Sequence, residues 1–70
     1  MKADKLASMA NQIGAFFASQ PGSDASAAIA DHLAKFWDKR MRHSIIAHAE
    51  AGGQGLDPLV FQAVMLLAKT

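Results

Sequence analysis

Three histidines, a serine–histidine pair, a glycine-rich turn and a cluster of cations are the residues of this 70-residue chain whose types could do chemistry. His32, His43 and His48 fall eleven and five residues apart. Two histidines that share a metal on one helix face stand three or four apart, so this spacing speaks against a metal site. His32 falls among apolar residues at helical spacing and reads as a packed side chain with a satisfied nitrogen. Ser44 and His48 stand at i, i+4 and can touch on one helix face. A serine nucleophile also needs an orienting acid, an oxyanion hole and a strained turn, and no neighbouring residues supply them, so the two read as a polar pair on a helix surface. Gly52-Gly53-Gln54-Gly55 shares only its glycines with a phosphate-binding loop. Such a loop continues into lysine and serine or threonine. Here Leu56-Asp57 follows, and the Asp57 carboxylate would repel a phosphate. The expectation is therefore no catalytic, cofactor-binding or metal-ligating residue.

The cations are more suggestive. Residues 35–43 carry a charge of +3, with −1 on each flanking side, from Lys35, Lys39, Arg40 and Arg42 against Asp38. His43 lies beside them. Lys35, Lys39 and Arg42 would share one face of a continuous helix. Arginine and tryptophan are common interface anchors, and Phe36-Trp37 sits within the cluster. Cations also meet nucleic-acid phosphates. The plain alternative is a solvated face partly neutralised by Asp31 and Asp38. A DNA-reading helix-turn-helix module is usually more basic and aims asparagine, glutamine or arginine at base edges, so a protein interface ranks above nucleic acid here.

The elements that must position these residues are helices. Apolar residues make up 51% of the chain and there is no cysteine, which excludes disulfides and zinc–thiolate sites. Residues 1–70 read as one small all-α domain, a bundle of three to four short helices. A core this small barely offsets the entropy of ordering the chain, which makes a partner surface expected. The first helix spans about Ala3 to Ser19, with Leu6, Met9, Ala10, Ile13, Phe16 and Phe17 as its apolar stripe. Gly14 either permits close approach of another helix or is tolerated at a cost of ~1 kcal/mol. Gln20-Pro21-Gly22-Ser23 is a turn, and Ser23 is the expected N-cap of the second helix, with Asp24 in its first turn. Ala25, Ala28, Ile29, His32, Leu33, Phe36 and Trp37 form the second stripe. A break at Asp38 is preferred to one long helix, so a third helix runs from about Lys39 to Ala51 with Met41, Ile45, Ile46 and Ala49 inward. The glycines at 52–55 stop it. Asp57-Pro58 opens the fourth, with aspartate at the N-cap and proline at N1.

That last helix, Leu59 to about Lys69, is apolar nearly all round, with only Gln62 polar in its interior. Either it lies at the centre of the bundle, or an apolar face docks on another chain; the second reading is preferred. Its ten-residue apolar stretch is about half a bilayer core, and no signal peptide follows Met1-Lys2, so a cytoplasmic protein without a membrane partner is expected. A free-standing homo-oligomer that buries the last helix against its own copy is a further alternative.

Met9-Ala10-Asn11-Gln12-Ile13-Gly14 before Phe16-Phe17, Ile29-Ala30-Asp31-His32-Leu33 with Lys35-Phe36-Trp37-Asp38 and Arg40-Met41-Arg42, and Gly52-Gly53-Gln54-Gly55-Leu56 with Pro58-Leu59-Val60 form a set. On these segments the chain resembles the delta subunit of the soluble, NAD-dependent, molybdenum-containing formate dehydrogenase. The similarity runs from about Lys2 to Ala68 and is most specific over Ile29–Arg42. It departs at Lys39, where proline is expected after Trp37-Asp38. The resemblance implies a non-catalytic accessory subunit with no cofactor of its own. Its partner would be the catalytic alpha subunit, within a complex that includes beta and gamma subunits. That complex carries bis-molybdopterin guanine dinucleotide, iron–sulfur clusters and FMN. The implied role is support of assembly, stability or cofactor loading. The residues expected to carry partner contact are Phe36, Trp37, Arg40, Met41, Arg42, Gly52, Gly53, Phe61 and Met65.

Overall fold

Two aspartates and a glycine run divide the chain into four helices in the computed structural model, which describes residues 3–20 and 24–69. They are α1 (Ala3–Ala18), α2 (Ala25–Phe36), α3 (Lys39–Glu50) and α4 (Pro58–Ala68), with no strand among the described residues. The break at Asp38 falls where the sequence places it. Asp38 is extended (φ −73°, ψ 170°), and its carboxylate accepts the Met41 N–H at 2.9 Å, satisfying an orphan donor of α3. At the start of α2 the cap differs from expectation. Asp24, not Ser23, is the N-cap, and its carboxylate accepts the Ala27 N–H at 3.4 Å. Ser23 lies outside the described residues, as do Pro21 and Gly22 of the expected turn.

The Ser26 hydroxyl donates to Asp24 Oδ1 at 2.8 Å. This bond first, and the Ala27 N–H second, hold the Asp24 carboxyl below its ordinary pKa. A depressed folded-state value makes the contribution present above the unfolded pKa and lost as pH falls through the folded one. Acidification below about pH 4, the ordinary range of aspartate, should therefore lower the melting temperature less in Asp24→Asn than in the wild type. Thermal melts followed by circular dichroism across that pH range would check it.

The third helix ends in a Schellman turn. Gly53 N–H donates to His48 O at 2.9 Å and Gly52 N–H to Ala49 O at 3.1 Å. Gly53 has φ 66° and is buried; a Cβ there would meet the Phe61 ring, with Cε2 at 2.6 Å. This glycine is required both by the left-handed backbone and by the ring that covers it.

Trp37 and the branched residues Leu6, Ile29, Leu33, Ile45, Val60 and Val64 form the centre of the core, with Ala7, Ala10, Ala49 and Ala63 filling between them. No polar side chain is buried among the described residues. The last helix is the hub. It packs most extensively on α2, then on α3, with a smaller contact to α1. Val60, Ala63, Val64 and Leu67 are buried, Leu59, Phe61 and Met65 are half-buried, and Leu66 is 38% exposed. The bundle-centre alternative thus accounts for most of this helix. Three short helices cover more of it than expected because small residues let them come close.

The first helix corrects its expected stripe. Its buried residues are Leu6, Ala7, Ala10 and Gly14, whereas Met9, Ile13 and Phe17 are half-buried and Phe16 is 61% exposed. Gly14 resolves toward close approach: a Cβ on it would overlap the Val60 Cγ2 methyl of α4. The small face turns inward and the bulky face outward.

Asn11 ties α1 to the connection between α3 and α4. Its amide nitrogen donates to Gly55 O at 2.8 Å, and its amide oxygen accepts the Asp57 N–H at 3.0 Å. From the other side, His48 Nε2 donates to Gln54 O at a short 2.6 Å. Asn11→Ala removes two bonds that water can partly replace, so a loss of about 1–2 kcal/mol is expected. In a domain of this size that is about 4–8 °C of melting temperature per kcal/mol, readable in a thermal melt.

Candidate partner-docking surface

The nine residues expected to meet a partner separate into two groups. Five lie at the α2–α3 corner. Phe36, on the expected inner stripe, is instead 72% exposed: it is the last residue of α2, and the buried side of that turn is held by Leu33. Trp37 takes the inward place: it is the C-cap residue, 6% exposed, with its N–H on Leu33 O. Arg40 is exposed and Met41 is half-buried against the core. Arg42 is half-buried, and its guanidinium donates to Ala34 O at 2.9 Å. That carbonyl lies in the last turn of α2, so Arg42 satisfies an orphan acceptor at the negative end of the helix.

The other four lie where α3 hands over to α4. Gly52 is exposed with φ 125°, and Gly53 is covered by Phe61. Phe61 and Met65 border a shallow groove of about 390 Å³ with Asp24, Ser26, Gln62, Leu66 and Lys69.

The cations do not make one patch. The break at Asp38 ends the continuous helix that would have aligned Lys35, Lys39 and Arg42. Lys35 pairs with Asp31 at 3.0 Å, and Arg42 is engaged with Ala34. Lys39 and Arg40 are left exposed at the corner. Ser44 and His48 form no hydrogen bond with each other among the described residues; the His48 bond goes to Gln54. Nor does His32 have the satisfied nitrogen expected of it. It is half-buried and packs by its ring, 5.7 Å from Phe17 and 4.7 Å from Phe36 between centroids, with no hydrogen bond among the described residues.

What residue-by-residue reading missed is the bulky side of α1. Phe16 and Phe17 stand edge to face at 5.3 Å, and Phe17 continues through His32 to Phe36. Met9, Gln12 and Ile13 line the adjoining groove of about 430 Å³. The signal was present: at 100° per residue the expected stripe spans about 120° of α1, and Ala7 and Gly14 widen the arc of apolar and small residues to about 180°, more than the ~100° that one core face needs.

Among the described residues no group of three or more His, Cys, Asp or Glu side chains could hold a metal ion, and the chain has no cysteine to ligate an iron–sulfur cluster. No helix among the described residues is long and apolar enough to cross a membrane. The surface on offer is one of rings, methyl groups and exposed cations, Lys39 and Arg40 at the corner and Lys69 at the groove.

Comparison with protein families matches residues 5–64 to the family described as FdsD, NADH-dependent formate dehydrogenase delta subunit. No curated protein and no solved structure matches the chain.

Proposed function

The chain belongs to the FdsD family of formate dehydrogenase delta subunits, and from that premise we propose that it is a non-catalytic accessory subunit that docks on the catalytic molybdenum-containing alpha subunit. It supports assembly, stability or cofactor loading of that subunit, in the cytoplasm, and binds none of the complex's cofactors itself. The molybdenum, iron–sulfur and flavin chemistry belongs to the alpha, beta and gamma subunits.

The observation that carries this reading is large aromatic surface left in water by a domain whose own core is closed. Phe16 and Phe36 are 61% and 72% exposed, although burying a Phe side chain is worth about 1.5–3 kcal/mol. The docking contact uses the α2–α3 corner through Phe36, Arg40 and the accessible edges of Met41 and Arg42, with Trp37 holding the corner from beneath. The Gly52–Gly53 turn with Phe61 and Met65 forms a second contact. The nucleic-acid alternative loses support from Lys35 and Arg42, whose cationic groups already have partners within the domain.

Deleting the chain from its native cell and measuring formate dehydrogenase activity, molybdenum content and complex size separately tests the proposal. Loss of molybdenum with the complex intact would point to cofactor loading, and loss of the complex to assembly or stability. All three unchanged would overturn an accessory role.

A further inference from the structure

Phe16, Phe17, His32 and Phe36 form a continuous ridge of rings across α1 and α2, with successive centroids 5.3, 5.7 and 4.7 Å apart. The two end rings are the most exposed large hydrophobic side chains among the described residues. Each ring is braced by its neighbour, so little rotamer freedom is left to lose on docking. The charge beside the ridge is net positive. Lys39 and Arg40 follow Phe36 in the chain, with Cα atoms no more than about 11 and 14 Å from its own. Both are exposed, and neither has an ion pair among the described residues. The nearby carboxylates leave the corner net positive: Asp38, which caps α3, offsets one of the two cations, and Asp31 is paired with Lys35. At the start of α1, Asp4 and Lys5 are adjacent and offset one another.

The exposed rings are too small to hold a second copy on their own. At about 200 Å² per Phe side chain, the exposed parts of Phe16 and Phe36 total roughly 270 Å², so two copies meeting through these rings would bury roughly 540 Å². A stable interface needs about 1,200 Å² or more. A two-fold contact centred on the Phe36 end would also set Lys39 and Arg40 of one copy against those of the other.

We propose that this ridge is the anchor of the docking surface, received by an apolar groove on the catalytic subunit of formate dehydrogenase whose border facing Lys39 and Arg40 is lined with carboxylates. The inference rests on docking to that subunit and adds which face docks and what chemistry receives it.

The test uses the full-length tagged chain and catalytic subunit prepared from cells lacking the chain. Phe16→Ser with Phe36→Ser is expected to weaken capture by about tenfold or more, as removal of interface anchors does, with the thermal melt unchanged. Lys39→Glu with Arg40→Glu is expected to weaken capture and flatten its dependence on salt. If wild-type chain captures no catalytic subunit, docking on it is refuted whatever the ridge does. If wild type binds and the serine variant binds equally well, docking stands and the ridge is not its anchor. If the glutamate variant matches wild type, the acidic border is wrong. A wild-type dimer in sedimentation velocity that the serine variant dissolves would assign the ridge to self-association instead. Should the serine variant unfold, Phe36→p-benzoylphenylalanine decides: photo-crosslinking to the catalytic subunit from position 36 supports the inference. Crosslinking only from Gln62→p-benzoylphenylalanine, on α4, overturns it.

Discussion

Trp37→Ala is expected to cost about 3–5 kcal/mol, the range for truncating a buried large aromatic residue in a core. A domain of 70 residues holds only about 3.5–10 kcal/mol in total, at ~0.05–0.15 kcal/mol per residue. The variant should therefore be substantially unfolded at 37 °C, with helical circular dichroism lost or shifted to a much lower urea midpoint. The reason is local as well as volumetric. Trp37 is 6% exposed and closes α2 at the residue before Asp38 opens α3, so its removal empties the corner where two helices are joined. Trp37→Phe, which keeps an apolar ring, should retain a cooperative transition. The same residue type that anchors interfaces is here a core residue, and the two roles give different outcomes. Trp37→Ala should lose partner capture and helicity together, whereas substitutions at Phe16 and Phe36 should lose capture alone. A Trp37→Ala chain that melts like wild type would show that the indole does not hold the core.

This contrast also marks how far the residues spoke for the fold. The helix boundaries were legible because they rest on local chemistry. Aspartate at 38 and 57, proline at 58 and the glycines at 52–55 act within a turn of where they stand, and the helices begin and end there. Facing was less legible. Phe36 and Trp37 are adjacent and both apolar, and periodicity alone cannot say which one a helix end turns inward. On α1 the apolar arc was wide enough for two faces, and bulk suggested that Phe16 and Ile13 belonged in the core. The core took alanine and glycine instead, because α4 must approach α1 closely while also packing on α2 and α3. Partners distant in sequence were illegible. The Asn11 amide reaches residues 44 and 46 positions away, and Arg42 caps a helix it does not belong to. Both bonds follow from the packing that brings the elements together.

Gly14→Leu is expected to destabilise the domain by about 3 kcal/mol or more, at the upper end of what overpacking costs, because even its Cβ would occupy the space of the Val60 Cγ2 methyl. Gly14→Ala sets two effects of similar size against each other. Alanine gains ~1 kcal/mol in helix propensity over glycine. The overlap costs about 1–3 kcal/mol, since Val60 is β-branched, held by few allowed rotamers and fully surrounded. Packing should win, with a net loss of about 1–2 kcal/mol. Val60→Ala alone should cost about 2 kcal/mol through two lost methyl groups and the space they leave. Combined, the two changes should be less damaging than their sum by about 1–2 kcal/mol, because the methyl removed from α4 is the one the new Cβ strikes. Urea melts of the wild type, both single variants and the double variant complete the cycle. Strict additivity would mean that the two positions are not in contact, and that some other feature sets the separation of α1 and α4. A positive coupling would instead tie the outward turn of the aromatic ridge to this one missing side chain. The close α1–α4 contact fixes the rotation of α1 about its axis, and that rotation leaves Phe16 facing solvent.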